Sequence, residues 1–277
     1  NITTFEKAKA FFRPEISMLC DPFLMNDMEK AVQRIQTAIR GGEKILVYGD
    51  YDVDGTTSVA MVYSFISSIH QKVDYYIPDR YSEGYGISFK AIDYAIDHEV
   101  TLIIALDCGI KANDKVDYAN EHHIDFIICD HHTPGDTLPA ALAVLNPERN
   151  DSRYPFKDLS GCGVGFKLLQ AYALKNDIAS EEVLEYIDLV AVSIASDIVP
   201  LIDENRILAH FGLKKLNSNP SVGLKAIIAI AGLEGKEITI DDIVFKIGPR
   251  INAAGRIESG KQAVELLISK KQSEAAL

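Results

Sequence analysis

ILVYGDYDVDGTTS, residues 45–58, joins a short apolar run to a stretch with an acid at every second position, then a glycine and a change to helical period. ILVYG (45–49) has the length and apolar character of a buried strand, and it runs into Asp50. Two later runs end the same way, LIIAL (102–106) in Asp107 and FIIC (126–129) in Asp130. Helical periodicity fills the spaces, from about Thr56 to His70, near 88–98 and near 112–122, and further β-rich runs follow at VDYYIP (73–78) and LAVLN (142–146). Such alternation predicts an α/β fold, a parallel sheet with helices on both faces. In an open parallel sheet the ligand crevice lies outside the carboxyl ends of the strands. The spacing therefore predicts that the three acids gather on one rim.

Outward from this region the pattern changes. Before residue 45 lies an N-terminal helical segment (1–44), and the sheet part spans 45–160. DSRYPFKDLSGCG (151–163) is the loop-like junction to a mostly helical subregion (161–260). Helices are expected there at Val164–Asn176, at Ser180–Ser196 with Ser180 as N-cap, at Glu204–Asn217 and at Val222–Ala231. Residues 261–277 read as the start of a connecting helix. A first residue other than Met and an ending, KKQSEAAL, without a helix stop signal lead us to expect a truncated chain.

With 277 residues and 47% hydrophobic content, the chain can bury a substantial core. It has no apolar run of membrane-spanning length and no signal-peptide pattern, so a soluble, cytoplasmic protein is expected. The four cysteines (Cys20, Cys108, Cys129, Cys162) form no CxxC pair, which argues against a zinc knuckle or a disulfide framework. A net charge of −12 argues against a broad phosphate-tracking surface. Part of that charge would be offset if the carboxylates held divalent ions.

Asp50, Asp52 and Asp54 alternate in GDYDVDG, and an extended chain would place all three on one side. His131 and His132 follow Asp130 and add imidazoles to an oxygen-rich set. Hard carboxylates with one or two imidazoles suit Mn²⁺ or Mg²⁺. Taken alone, DxDxDG could be a capping turn or a calcium loop, but the closing Glu of an EF-hand is missing after Gly55. A lone HH pair is more often solvated surface. Neither reading explains why acids recur directly after apolar strands.

DYDVDG (50–55), ALDCG (105–109), DHH (130–132) and SDIVPL (196–201) resemble the motifs of the DHH phosphoesterase superfamily. PDRYSEGYG (78–86), SGCGVGFKLLQA (160–171), ENRILAHFGLKKLN (204–217) and GPRINAAGRI (248–257) are similar to its RecJ-type branch. The resemblance covers roughly residues 45–268 and implies a two-metal hydrolase that degrades single-stranded DNA from its 5′ end to 5′-mononucleotides. Implied metal ligands are Asp52, Asp54, Asp107, His131 and Asp197, with Asp50 a ligand or a near neighbour. Asp130 would orient the adjacent histidine and His132 would face the substrate phosphate. Arg80, Arg250 and Asn252 would hold phosphate, with Arg256 beside them, since arginine offers a planar fork. A surface pairing with Glu83 or Glu258 is the plainer alternative for the two arginines. The glycines of GCGVGFK could aim backbone N–H groups at an anion or allow close helix packing. Single-stranded DNA is the implied partner, with a single-strand-binding protein and a helicase as further ones. The alternatives are a DHH phosphatase or nanoRNase acting on small substrates, and a catalytically inactive DNA-binding scaffold.

Overall fold

A computed structural model of the chain describes residues 3–254 and 260–271. Five parallel strands, β1 (Lys44–Gly49), β2 (Val73–Tyr76), β3 (Val100–Leu106), β4 (Asp125–Cys129) and β5 (Ala143–Leu145), lie in the order β2-β1-β3-β4-β5. The order reverses between β1 and β3, which places a ligand crevice at their carboxyl ends. Gly49 pairs with Leu106, and Leu106 with Cys129. The next residue of each strand is Asp50, Asp107 or Asp130, so the three acids form one row across the sheet.

Both faces of the sheet are covered, as period-two alternation requires of strands that are apolar throughout. Ile45, Val47, Leu102, Ile104, Leu106 and Ile127 enter one core, and Leu46, Tyr48, Ile103, Phe126 and Ile128 enter the other. The first core also takes α2 (Met28–Gly41) through Met28, Ala31, Val32, Ile35 and Ala38, an i, i+3, i+4, i+7 stripe. α1 (Phe5–Phe12) precedes it in the chain. α3 (Val53–Ile69) follows β1 on the same side, while α4 (Phe89–Asp97) and α5 (Asn113–Glu121) cover the opposite face. Each fully buried Leu or Ile contributes about 1.5–3 kcal/mol, so the two layers fix the strand register and with it the row of acids.

The rest is helical, as expected, among the described residues: α6 (Gly161–Lys175), α7 (Ser180–Leu184), α8 (Ile187–Ser196), α9 (Asp203–Ser218) and α10 (Val222–Ile230). A short α11 (Ile240–Asp242) runs through a π-helical turn, Ile243–Ile247, into α12 (Gly248–Ala254), and α13 (Gly260–Ile268) follows. None of these helices is long and apolar enough to cross a membrane.

Three local expectations are corrected. α3 begins at Val53 rather than near Thr56, with Asp52 as its N-cap. α6 begins at Gly161 rather than Val164, capped by the Ser160 side chain, which accepts from the Gly163 N–H. The Ser180–Ser196 helix is two helices, and Ser180 is the first residue of α7 rather than its cap. Tyr186 interrupts them at φ −102° and packs edge-on against Phe65. That contact with the core replaces one continuous helical turn.

Candidate metal centre

Each acid of the row meets different surroundings. Asp107 follows β3 with φ +57°, a left-handed conformation that Asp tolerates better than most residues, and it is 1% exposed. Its Oδ1 lies 3.1 Å from His131 Nε2, yet neither buried atom has a hydrogen-bond partner. Asp54 Oδ2 and Asp197 Oδ2 stand 3.7 Å and 3.6 Å from the same nitrogen. Asp54, His131 and Asp197 thus form one group whose donor atoms could hold a metal ion, and Asp107, His131 and His132 form another.

Two helix starts hold this geometry. Asp52 caps α3, accepting from the Gly55 N–H at 2.9 Å, and Asp54 lies in its first turn. The three acids of DYDVDG therefore do not line one side of an extended chain, because the helix begins between Asp52 and Asp54. A Cβ on Gly55 would sit 2.4 Å from the Asp50 carbonyl oxygen, so only glycine allows α3 to close on the strand end. α6 points its own N-terminus at the site. The N–H groups of Gly161 and Cys162 donate to the two Asp54 oxygens at 2.7 and 2.8 Å, and Ser193 on α8 donates to the same carboxylate at 2.7 Å. Both readings of the glycine run are combined here, since the helix terminus meets an anion supplied by the protein itself. A Cβ on Gly161 would lie 2.6 Å from the Asp107 Cβ.

Asp50 is buried but engaged by the backbone, accepting from the N–H groups of Tyr51 at 2.7 Å and Gly86 at 2.8 Å. It stands outside both donor groups. Asp130 orients His132 rather than the adjacent His131: its Oδ1 pairs with His132 Nδ1 at 2.7 Å and takes the N–H groups of both histidines. Its Oδ2 accepts from the Ile110 N–H. His132 is thereby turned outward, with Nε2 3.5 Å from the Tyr85 hydroxyl.

Asp197 follows the end of α8. It is the C-cap residue, its backbone N–H donating to the Ser193 carbonyl, while its carboxylate reaches the histidine from a position that opposes the helix dipole. Ile198 beside it takes φ +59°, a costly conformation for a β-branched residue, and is exposed.

The concentrated acids show in their protonation. Burial and then the charges of Asp54, Asp52, Asp130 and Asp197 push Asp107 well above the usual carboxylate range. Burial also pushes Asp50 up to about 6, with Asp52 adding to it against the Gly86 and Tyr51 N–H groups. Asp197 is pushed up to about 6 by burial and Asp54, and Asp52 is raised by the same two causes. For Asp130 burial acts upward, but the His132 hydrogen bond and charge hold it below its ordinary value. His132 is raised in turn, chiefly by the Asp130 hydrogen bond. Crowded carboxylates with unpaired buried Oδ1 and Nε2 atoms are what a hard divalent cation would complete, so the residues present fit Mn²⁺ or Mg²⁺.

A cavity of about 310 Å³ opens over the acids, lined by Tyr51, Asp52, Val53, Asp54, Arg80, Tyr85, Ser196, Asp197 and Asn252. The Arg80 guanidinium lies 5.6 Å from the centre of the Tyr51 ring. The plainer pairing with Glu83 is not formed; that carboxylate is taken by Tyr76, Ser88 and the Asp79 N–H. Asn252 also faces the cavity. Arg250 does not line it: its guanidinium donates to the Lys246 carbonyl within its own helical segment. Arg256 and Glu258 lie outside the described residues. Sequence reading missed Ser193, a lone hydroxyl in the apolar run of α8 with no local signature. It also missed Tyr51 and Tyr85 as lining residues, although both lie inside recognised motifs, DYDVDG and PDRYSEGYG.

Residues 44–194 match the DHH family, N-terminal domain. The single-stranded-DNA-specific exonuclease RecJ of Bacillus subtilis is 41% identical over 98% of this chain, and that of Escherichia coli 37% identical over 91%. The chain spans 34% and 45% of the lengths of these relatives. A crystal structure of exonuclease RecJ bound to manganese superposes with a TM-score of 0.84 at 32% identity, over 94% of this chain and 64% of that one. RecJ of Thermus thermophilus in complex with Mn²⁺ gives 0.82 at 30% identity, over 97% of this chain and 38% of that one. The same protein in complex with Mg²⁺ gives 0.71 at 28% identity, over 97% and 35%.

Proposed function

The chain belongs to the DHH family, and from that premise we propose that it hydrolyses phosphodiester bonds of single-stranded DNA, working from the 5′ end and releasing 5′-mononucleotides. The observation that carries this reading is the unpaired Asp107 Oδ1 and His131 Nε2, 3.1 Å apart among Asp54 and Asp197, at the switch point of the sheet. Asp54, Asp107, His131 and Asp197 would hold divalent ions, two by this reading, with Asp52 beside them. When bound, such ions neutralise charge on the phosphoryl group and acidify a water for attack at phosphorus.

The chain's own residues do the rest. Asp54, fixed by two N–H groups and Ser193, cannot swing away, so its remaining lone pairs stay aimed at the site. Asp130 holds the His132 ring with Nε2 outward, where it meets a substrate oxygen as a hydrogen-bond donor when protonated. Arg80 at the mouth supplies a planar fork for a terminal phosphate, and its fixed distance from the acids would count nucleotides from the strand end. Asn252 lines the same mouth. Arg250 would act on phosphate only after leaving the Lys246 carbonyl.

End-labelled single strands test this reading. Wild-type chain with Mn²⁺ should shorten 5′-labelled DNA to labelled mononucleotide, and Asp107→Ala should lose that activity by at least a hundredfold. Equal Mn²⁺-dependent digestion by both proteins would refute the assignment. Arg80→Ala should lower the preference for 5′-phosphorylated over 5′-hydroxyl strands; an unchanged ratio would remove Arg80 from the end-reading role.

A further inference from the structure

The space over the acids continues past them. Val53, Ser196 and Asn252, which line the metal cavity, also line a second cavity of about 250 Å³ whose other walls are Val244, Gly248, Pro249 and Ala253. Among the described residues no carboxylate faces this second space. Its walls are mainly aliphatic, and its polar capacity is concentrated at the boundary with the first. Ser196 Oγ is buried there without a hydrogen-bond partner. The Asn252 side chain, half-buried, forms no hydrogen bond among the described residues. Gly248 allows the far wall to close, since a Cβ there would lie 2.6 Å from Ser196 Oγ. That wall leaves the π-helical turn Ile243–Ile247, a geometry concentrated at functional sites.

A buried hydroxyl without a partner is a cost that a ligand oxygen recovers. The ligand must also touch Val53, Val244, Pro249 and Ala253 with carbon, and it must reach the cavity directly from a phosphate over the acids. Resting on the phosphodiesterase reading, we propose that the second cavity is a sugar subsite for the deoxyribose of the nucleotide whose phosphate lies in the metal cavity. The furanose has the required two-sided character: a carbon face for the aliphatic walls, and ring and hydroxyl oxygens for Ser196 and Asn252. It is joined to the phosphate through a single methylene. Bases are not read here, because among the described residues no aromatic side chain lines the cavity to stack on one. Recognition of sugar without base gives a nuclease purchase on DNA of any sequence.

Calorimetric titration of the Mn²⁺-loaded chain with inorganic phosphate, 2-deoxyribose 5-phosphate, dAMP and dTMP tests the proposal, after titration of Mn²⁺ alone. The sugar phosphate should bind about tenfold tighter than phosphate, and the two nucleotides should differ by less than about threefold. Ser196→Ala should reduce the sugar advantage about fivefold, and Ala253→Leu, which fills the cavity, should abolish it. Both variants should bind Mn²⁺ as the wild type does. Should Ala253→Leu fail to fold, Ser196→Ala decides alone. Equal binding of phosphate and sugar phosphate by wild type would overturn the subsite, as would an advantage that survives both substitutions. Failure of the wild type to bind Mn²⁺ would instead overturn the hydrolytic reading beneath it.

Discussion

Replacing Asp107 by Asn should stabilise the metal-free protein while removing its response to metal. Asp107 is buried at 1% exposure, its Oδ1 unpaired 3.1 Å from the unpaired Nε2 of His131, with four other carboxylates raising its pKa in addition to burial. An Asn amide placed at the Oδ1 position can donate to a neutral imidazole nitrogen, satisfying both atoms and removing the buried charge. Each unsatisfied buried polar group costs about 1–3 kcal/mol, so a net gain of about 2 kcal/mol is expected in EDTA. For a chain of this size that corresponds to a rise in Tm of about 3–4 °C. In Mn²⁺ the order should reverse. At a hundredfold excess over Kd the wild type gains about 2.7 kcal/mol, a gain that the Asp107→Asn variant forgoes. The sign of the pH dependence follows from the direction of the shift. A carboxyl raised in the folded state contributes stability that is present at low pH and lost as pH rises through the folded pKa, so the gap between the two proteins in EDTA should open as pH rises. Thermal unfolding of both proteins in EDTA and in Mn²⁺ measures all of this. A less stable Asn variant in EDTA, or one stabilised by Mn²⁺ as strongly as wild type, would refute the reasoning.

Gly161→Ala places a methyl 2.6 Å from the Asp107 Cβ; it should cost about 1–3 kcal/mol in urea unfolding and weaken Mn²⁺ binding, and a neutral outcome on both would show that α6 does not set the position of Asp107. Ser193→Ala removes the hydroxyl shared by Asp54 and Ser160, so a loss of about 1–3 kcal/mol is expected in the same assay; a change smaller than about 0.5 kcal/mol, the range of an ordinary surface substitution, would contradict it. Because Asp197 is pushed up to about 6 and Asp107 is held well above its ordinary value, protons compete with metal, and Mn²⁺ affinity should climb between about pH 5 and about pH 7 with release of protons on binding. A pH-independent Kd in calorimetry would count against these acids as ligands.

The sheet was legible because parallel strands buried on both faces read as uninterrupted apolar runs, and a change to Asp marks each strand end. ILVYG-Asp50, LIIAL-Asp107 and FIIC-Asp130 needed no tertiary information to be placed in one row. Helix starts were less legible. DVDG and SGCG look like loops by propensity, yet helices begin inside both, because Asp54 receives the N–H groups of Gly161 and Cys162 across 107 and 108 residues of chain. Only the folded chain brings that carboxylate to that helix end. Alternation along DYDVDG assumes an extended backbone, whereas α3 begins at Val53, so Asp50 turns to the Tyr51 and Gly86 N–H groups while Asp54 faces His131. That the Asp130 carboxylate pairs with His132 Nδ1 depends on a loop conformation after β4 that no periodicity reports. Ser193 and Ser196 could not be singled out, being hydroxyls on an apolar helix whose partners come from elsewhere in the fold.

Anomalous diffraction from crystals of this chain grown with Mn²⁺ tests the central claim most directly. The account predicts a manganese peak bounded by Asp54, Asp107, His131 and Asp197 at the carboxyl ends of β1 and β3, lost in Asp107→Asn. Manganese bound elsewhere on the chain, or at this position with Asp107 turned away from it, would contradict it.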